Sequence, residues 1–407
     1  MSPLRHYNPQ IIKAEAGGRR SEVGTVLMVL AFCAVPRIAA LWLFQAPADT
    51  QYSALARSLV HAHRYVLDGA ATARIEPLCP AVFAFGQVLF GSMLAIPVVL
   101  SSLAGVALFA LTRGATNSAR AAWTAVLLYA CSPYLVRQAA SPMEVTLATS
   151  LLIVAAWRMR DVGTAARAAS VGLLFGAIVL TRFSFLPISA GGLVLIWRRA
   201  AGLKAAIATV VVIVCLAPWM AYSRATDGAI WPSRVGENLY VSTSDWARGV
   251  VPTTNVDVLV PLTADLVRDE ADQDRALIRR AISYARRHPM EVVALKLRNL
   301  GYIMQPRLLP FTERTGSASI VDGRLVVPKQ RPRPFVYEAI AAVFQTVLLA
   351  GAAGGLWKRR RQLEHDAFLL IVLGGIVAVS VLFYPTSRLL APASFVLMFY
   401  TARNVAR

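Results

Sequence analysis

The first residues of this sequence with chemical potential are two aspartates, three arginines and a glutamate that follow its first apolar stretch. Val23 to Phe44 is almost uncharged, and the chain then reads Gln45-Ala46-Pro47-Ala48-Asp49-Thr50-Gln51-Tyr52. Arg57, Arg64, Asp68, Arg74 and Glu76 come next, ahead of Pro80. A fixed carboxylate takes a proton from a hydroxyl held within hydrogen-bond reach. Arginines beside it suit an anionic group, because the planar guanidinium donates two parallel hydrogen bonds to phosphate or carboxylate. Asp49 is therefore a candidate base, a role that on position alone stands behind helix capping. It is also placed to cap a helix that starts at Gln51 and carries Tyr52, Leu55, Ala56 and Leu59. The two roles are compatible, since a cap holds the carboxylate still.

Further arginines stand at the ends of apolar runs. Arg182 follows Thr181, and Arg388 closes Tyr384-Pro385-Thr386-Ser387-Arg388. Charged groups at membrane depth are costly and mark functional sites, although a single arginine also snorkels to lipid phosphates. As a set, Arg182, Arg388, Arg57, Arg64 and Arg74 are candidate ligands for a phosphate. Tyr52, Glu76, Glu144 and Tyr240 are candidate substrate contacts. Glu144 also suits the first turn of a helix, where an acid complements the helix dipole. Tyr240, Trp231 and Trp246 have the ring types that stack on sugars, and equally those that anchor at a membrane interface. His61 and His63 are two apart and point apart on a helix, and the four cysteines show no ligand spacing. A divalent metal is compatible with the chemistry, but no ligand cluster supports one and no cofactor is evident.

The elements that must position these groups are membrane helices. At 57% hydrophobic and 16% charged residues, the chain is too apolar for an ordinary soluble protein. Its net charge of +20 sits in short basic clusters between apolar runs, the pattern that sets membrane topology rather than one that binds nucleic acid. The apolar runs are 23–44, 81–111, 121–136, 145–157, 168–180, 183–197, 205–222, 335–357, 367–383 and 389–402, about ten spans on a scale of roughly 20 residues each. Pro97 is expected to kink or split the second run. Val23–Phe44 exceeds the length of a signal h-region, so it is expected to remain as a span.

With Arg5, Lys13, Arg19 and Arg20 inside, the clusters at Arg113/Arg120, Arg158–Arg167, Arg198–Lys204, Lys358–Arg361 and Arg403/Arg407 also fall inside. The expected organisation is a cytoplasmic tail over 1–22 and a transmembrane core over 23–222 whose first external loop, 45–80, holds the catalytic group. An external domain over 223–334 and C-terminal transmembrane helices over 335–407 follow. The fold class is an all-α polytopic membrane protein with a small external α/β domain. Within that domain, 269–287 and 290–300 read as helices interrupted at Pro289, and Val321–Val326 as a hairpin with an Asp-Gly turn.

Motif order resembles one known group. Asp49-Thr50-Gln51-Tyr52 after a single span, Glu76-Pro77-Leu78-Cys79-Pro80, Ser141-Pro142-Met143-Glu144, Leu180-Thr181-Arg182-Phe183 and Ala217-Pro218-Trp219 are similar to the GT-C class of integral-membrane glycosyltransferases. Gly236-Glu237-Asn238-Leu239-Tyr240, Arg287-His288-Pro289 and Arg388-Leu389-Leu390-Ala391-Pro392 extend the resemblance over most of the chain. The nearest branch resembles bacterial protein O-mannosyltransferases and lipid A aminoarabinose transferases. The resemblance implies an inverting transfer of a sugar from a polyprenyl-phosphate donor to a glycan, lipid or protein acceptor. It places the reaction at the outer face of a bacterial inner membrane, with both termini cytoplasmic, and implies that Asp49 activates the acceptor while Arg182 and Arg388 face the donor phosphate. Two departures stand out: Thr50 occupies the place of a second acid, and Tyr222-Ser223 that of an Arg-Asn pair. A polytopic transporter or lipid flippase, or a non-catalytic scaffold, is the alternative, although no paired repeat supports a transporter.

Overall fold

Apolar side chains cover most helices of this chain on every side, so the helices can only pack on one another or face lipid. The computed structural model describes residues 9–43, 50–67, 69–199, 202–230, 235–244, 247, 249, 270–309, 312–314, 319–321, 324–326, 330–361 and 363–405. Helix α1 spans Pro9–Leu43, α2 Gln51–Ala62, α3 Leu78–Phe90, α4 Ala95–Thr116, α5 Ala119–Ala130 and α6 Pro133–Ala139. Next come α7 (Val145–Arg158), α8 (Ala165–Thr181), α9 (Leu186–Arg199), α10 (Gly202–Asp227) and α11 (Val235–Ser242). The chain continues through α12 (Glu270–Arg287), α13 (Pro289–Ile303), α14 (Phe335–Arg359), α15 (Ala367–Leu382), α16 (Ser387–Leu390) and α17 (Ser394–Arg403).

Strands are few. Val66–Leu67 (β1) pairs antiparallel with Ala70–Ala71 (β2) between α2 and α3. Between α13 and α14, Thr312–Arg314 (β3) pairs with Gln330–Pro332 (β6), enclosing the hairpin of Ser319–Val321 (β4) and Arg324–Val326 (β5). The hairpin expected around Asp322-Gly323 is thus present in its strands, while the turn itself lies outside the described residues.

Five segments among the described residues are long and apolar enough to cross a membrane: 22–43, 95–116, 202–227, 335–359 and 363–382. Their outward residues remain apolar, as in Leu27, Trp42, Val210, Ile213, Val214, Val343 and Val347, which are all exposed. Water would not tolerate that surface and hydrocarbon does. This is an all-α membrane protein. Shorter apolar helices, α7 and α8 among them, fill the interior, where Leu152, Ile153, Val171, Phe175 and Ile178 are buried.

Several boundaries differ from those read in the sequence. The second apolar run breaks at Gly91, whose φ of +64° ends α3, and Pro97 sits harmlessly in the first turn of α4. The third run breaks at Ser132-Pro133 into α5 and α6. Pro289 opens α13 at a first-turn position that needs no amide hydrogen, so it begins a helix rather than merely interrupting one. The cap of α2 is Thr50, whose side chain accepts from the Ser53 amide while the Ser53 hydroxyl accepts from the Thr50 amide.

One charge lies inside the first span. Arg37 of α1 is fully buried, and its guanidinium donates to Ser101 Oγ (2.5 Å) and to the carbonyls of Cys33 (2.7 Å) and Tyr129 (3.5 Å). It also lies over the Tyr129 ring at 4.4 Å.

The bundle has two chemically distinct ends. At one, Arg160 donates to the Gly114 carbonyl, Arg403 to that of Ala115 and Arg199 to that of Glu364, and Arg403 pairs with Asp366. At the other, Asn299 and Lys296 of α13 donate to the carbonyls of Val381 and Leu382, and Leu309 exchanges hydrogen bonds with Ser387. The 16 residues of α15, roughly 24 Å of helix, separate the two. Close approach of α14 and α17 depends on Gly355, where a Cβ would run into the Tyr400 carbonyl. Gly355→Leu is expected to cost about 1–3 kcal/mol through overpacking, read as a lower thermal midpoint in detergent. Gly114→Ala, which meets open space, should leave that midpoint unchanged or slightly raised.

Candidate functional site

Glu144 is the residue immediately before α7, held there by the turn through Ser141-Pro142-Met143. Its side chain is 1% exposed. Arg388 stands in the short helix α16, which starts sharply because the Thr386 hydroxyl caps the Leu389 amide. Its Nε donates to Glu144 Oε1 at 2.7 Å and its Nη2 to Oε2 at 2.6 Å, a two-pronged contact. Arg182 leaves the end of α8 in extended conformation and reaches Glu144 Oε1 with Nη1 at 2.5 Å, while its Nε donates to Ser184 Oγ. Tyr52, on the inner face of α2, completes the group: Arg388 Nη2 donates to its hydroxyl at 3.1 Å and lies over its ring.

The surrounding loops are tied to the same point. Glu76 Oε1 accepts from the Phe183 amide at 2.7 Å, which fixes the backbone directly after Arg182. Tyr65 in turn donates to the carbonyl of Ile75, before Glu76. The Thr50 hydroxyl donates to the Pro142 carbonyl at 2.8 Å, tying the start of α2 to the turn before Glu144. A packed cluster of Tyr52, Leu55, Ala56, Ile75, Cys79, Phe83 and Leu147 lies beneath.

Burial alone would push the Glu144 carboxyl up, but Arg388 and Arg182 overcome that and hold it down at about 2, from an ordinary 4.5. The carboxylate is therefore held ionised at neutral pH, bound between the two arginines. With two positive charges on one negative, the trio keeps an excess positive charge. A cavity of about 330 Å³ opens against it, with Tyr52, Glu76, Arg182, Asn238, Tyr384 and Arg388 on its polar side and Leu186, Val379, Leu382 and Phe383 among its apolar lining. A second cavity of about 290 Å³, mostly aliphatic, lies across α16 and is lined by Ser387, Leu390, Leu348, Leu373 and Ile376 among others. Helix α16 thus turns Arg388 and Leu389 to the first cavity, and Ser387 and Leu390 to the second.

Of the residues singled out in the sequence, Tyr52, Glu76, Arg182 and Arg388 come together at this cavity. Glu144, expected from the sequence as a substrate contact, does not line the cavity and is buried beneath the two arginines. Arg74 pairs with Glu237 at 2.9 Å, Arg64 is exposed at the turn after α2, and neither these two nor Arg57 lines the cavity. Tyr240 is buried against Leu277 and Ala281 of α12 instead of reaching the site. Asp49, Trp231 and Trp246 lie outside the described residues. Among the described residues no group of three or more His, Cys, Asp or Glu is placed to hold a metal ion. Sequence reasoning missed Ser184 and Asn238. The Asn238 side chain accepts from the Tyr384 hydroxyl at 2.6 Å, and its only signal was a place inside Gly236-Glu237-Asn238.

No family model matches the chain, and no curated protein matches it. Among solved structures it is similar to the archaeal oligosaccharyltransferase AglB from Archaeoglobus fulgidus in complex with an inhibitory peptide and a dolichol-phosphate. That likeness has 16% identity and a TM-score of 0.46, over 93% of this chain and 50% of that one. It is also similar to ArnT from Cupriavidus metallidurans bound to undecaprenyl phosphate, with 14% identity and a TM-score of 0.42, over 94% of this chain and 78% of that one. AglB and ArnT are GT-C glycosyltransferases, the class that the sequence motifs resemble. The chain spans about half the length of the oligosaccharyltransferase it matches. Likeness of this depth carries no argument about activity, which has to come from the site.

Glu144→Gln would leave two guanidinium groups facing each other without a counter-charge. A fully buried pair broken this way loses about 3–5 kcal/mol; with Arg182 and Arg388 side chains 23% and 34% exposed, about 2 kcal/mol is expected. The pH dependence has a fixed sign, because the folded-state carboxyl is depressed. Its contribution is complete above pH 4.5 and fades as pH falls toward 2. Thermal midpoints of wild type and Glu144→Gln should differ by a constant amount from pH 5 to 8 and converge below pH 4.5.

Proposed function

We propose that this chain is an inverting glycosyltransferase that moves a sugar from a polyprenyl monophosphate to an acceptor hydroxyl. The observation that carries this reading is the arginine pair, oriented from below by Glu144, at one of two cavities that share helix α16, the other of them mostly aliphatic. A phosphate with a long hydrocarbon chain matches that juxtaposition: the phosphate against Arg182 and Arg388, the chain against Leu348, Leu373 and Ile376.

The acceptor oxygen attacks the anomeric carbon from the face opposite the phosphate, the carbon–oxygen bond to the phosphate breaks, and the configuration inverts. The phosphodiester leaves as a phosphomonoester, gaining one negative charge, and the two guanidinium groups stabilise that charge as it develops. Asp49 takes the acceptor proton as general base. Support for its place comes from the chain: Asp49 adjoins Thr50, which is bound to Pro142 two residues before Glu144. Tyr52 and Glu76, in the cavity wall, contact the sugar hydroxyls.

The basic end of the bundle faces the cytoplasm, and the cavity therefore faces outward, on the positive-inside argument. About ten helices cross the membrane, the shorter ones sheltered by neighbours, and residues 223–334 form the external domain. Glycan, lipid and protein hydroxyls are all chemically competent acceptors.

Two substitutions test the mechanism. Asp49→Asn should abolish transfer of labelled sugar from a polyprenyl-phosphate donor while membrane insertion stays intact; wild-type-like transfer removes Asp49 from the reaction. Arg388→Lys keeps the charge but loses the paired hydrogen bonds, and should lower kcat/KM for the donor by about tenfold or more. An unchanged kcat/KM would exclude Arg388 from phosphate recognition.

A further inference from the structure

Helices α12 and α13 follow one another in the chain and present opposite chemistry to their surroundings. The first is built as a helix that faces water: Leu277 and Ala281 are buried against Tyr240, and Arg275, Arg279 and Arg286 stand exposed on the other side. Helix α13 is the reverse. Met290, Val293, Leu297, Leu300 and Met304 follow one another at alternating spacings of three and four, which places them on one face. All five are exposed, Met290 by 76% and Leu297 by 63%. The side turned to the protein carries the polar groups instead, with Asn299 fully buried and Lys296 half-buried.

Those polar groups fix the level at which α13 lies. Asn299 donates to the Val381 carbonyl at 3.0 Å, and Lys296 donates to the carbonyls of Leu382 at 2.5 Å and Ser242 at 2.8 Å. Val381 and Leu382 end the membrane-crossing segment 363–382, so α13 sits where a span leaves the hydrocarbon. Its last turn then enters the wall of the aliphatic cavity, where Tyr302, Ile303 and Met304 stand with Phe344 and Leu348 of α14. Helix α14 is itself a span, and its Val343 and Val347 are exposed. Through Met304 and that cavity, the exposed face of α13 is continuous with a surface that faces lipid.

We propose that α13 is an interfacial helix whose exposed face is immersed in the bilayer, in the leaflet at the cavity end of the bundle. A helix with one apolar and one polar face sinks the apolar one about 5–10 Å into the boundary between headgroups and acyl chains. Here the polar face is already bound to the protein, which leaves lipid for the other. Glu291 and Arg298 border the apolar face and are exposed, and side chains of that length reach water from this depth. Continuity with the spans selects lipid over a second copy of the chain, because a protein seated on this face would have to extend into the leaflet. The assignment does not depend on glycosyl transfer, and it holds for either orientation of the chain.

The test uses the full chain in vesicles of phosphatidylcholine and phosphatidylglycerol. Cys131→Ala and Cys215→Ala remove the two thiols that are not buried. A nitroxide is then attached through Leu297→Cys or, for comparison, through Glu291→Cys or Arg279→Cys. Power saturation compares collisions with oxygen, which concentrates in hydrocarbon, and with a water-soluble nickel chelate. At position 297 oxygen is expected to dominate, with an oxygen-to-chelate ratio several-fold above those at 291 and 279. A chelate-dominated signal at 297 would place the face in water. A label shielded from both reagents would place it under protein, either a second copy or another segment of this chain. Each of these results overturns the proposal. The unaltered chain gives a second reading that needs no substitution: a lipid-soluble carbene precursor, photolysed in the same vesicles, should modify the peptide that carries Val293 and Leu297. If mass spectrometry finds adducts on α14 and none on that peptide, α13 is not in the lipid.

Discussion

Two guanidinium groups that meet at the end of a membrane bundle repel each other unless something between them carries the opposite charge. Here that group is the Glu144 carboxylate, fully buried and bound by both. The arrangement requires α7 to begin where α8 ends and where α16 turns, because the three residues come from those three places. The packing of α7 between α4 and α8 and the glycine-mediated contact of α8 with α10 all serve to hold these helix ends level. Displacing any of them by a turn would separate the charges by roughly 5.4 Å, well beyond hydrogen-bonding distance.

Orientation of the arginines is then fixed before any ligand arrives. Arg388 has its Nε and Nη2 bound to Glu144 and Tyr52, and Arg182 is braced by Ser184. A site with its dipoles already aligned spends little on reorganisation when charge develops. The neighbouring Glu76 contributes by holding the Phe183 amide, so the loop that carries Arg182 cannot swing away.

Much of the helical framework was legible in the sequence because charged residues frame the apolar runs. The run read as Val145–Trp157 matches α7 almost to the residue, since Glu144 and Arg158 bracket it. Breaks inside apolar runs were not legible: Gly91 ends α3 through its backbone conformation, which leaves no mark in hydropathy. Arg182 and Arg388 stood out as charges at span ends. Glu144 stood out as well, but not as their shared partner, because it lies 38 residues from one and 244 from the other, and only tertiary packing joins them. Asp49 looked like the cap of α2, but the reciprocal bonding of Thr50 and Ser53 takes that role through a hydroxyl pair rather than a carboxylate. Arg37 escaped notice because one charge in a long apolar run hardly alters its mean hydropathy.

That arginine bears on how the protein is made. The neutral partners that hold Arg37 are Ser101 and Tyr129, 64 and 92 residues further along the chain. At a synthesis rate of about 5–20 residues per second, the first helix waits several seconds for them. A lone arginine costs an inserting helix up to about 2.5–3.5 kcal/mol at its centre, so through that interval the apolar residues of α1 alone must offset the charge. The full set of partners for Arg37 is complete only after the fourth and fifth helices have been delivered beside the first.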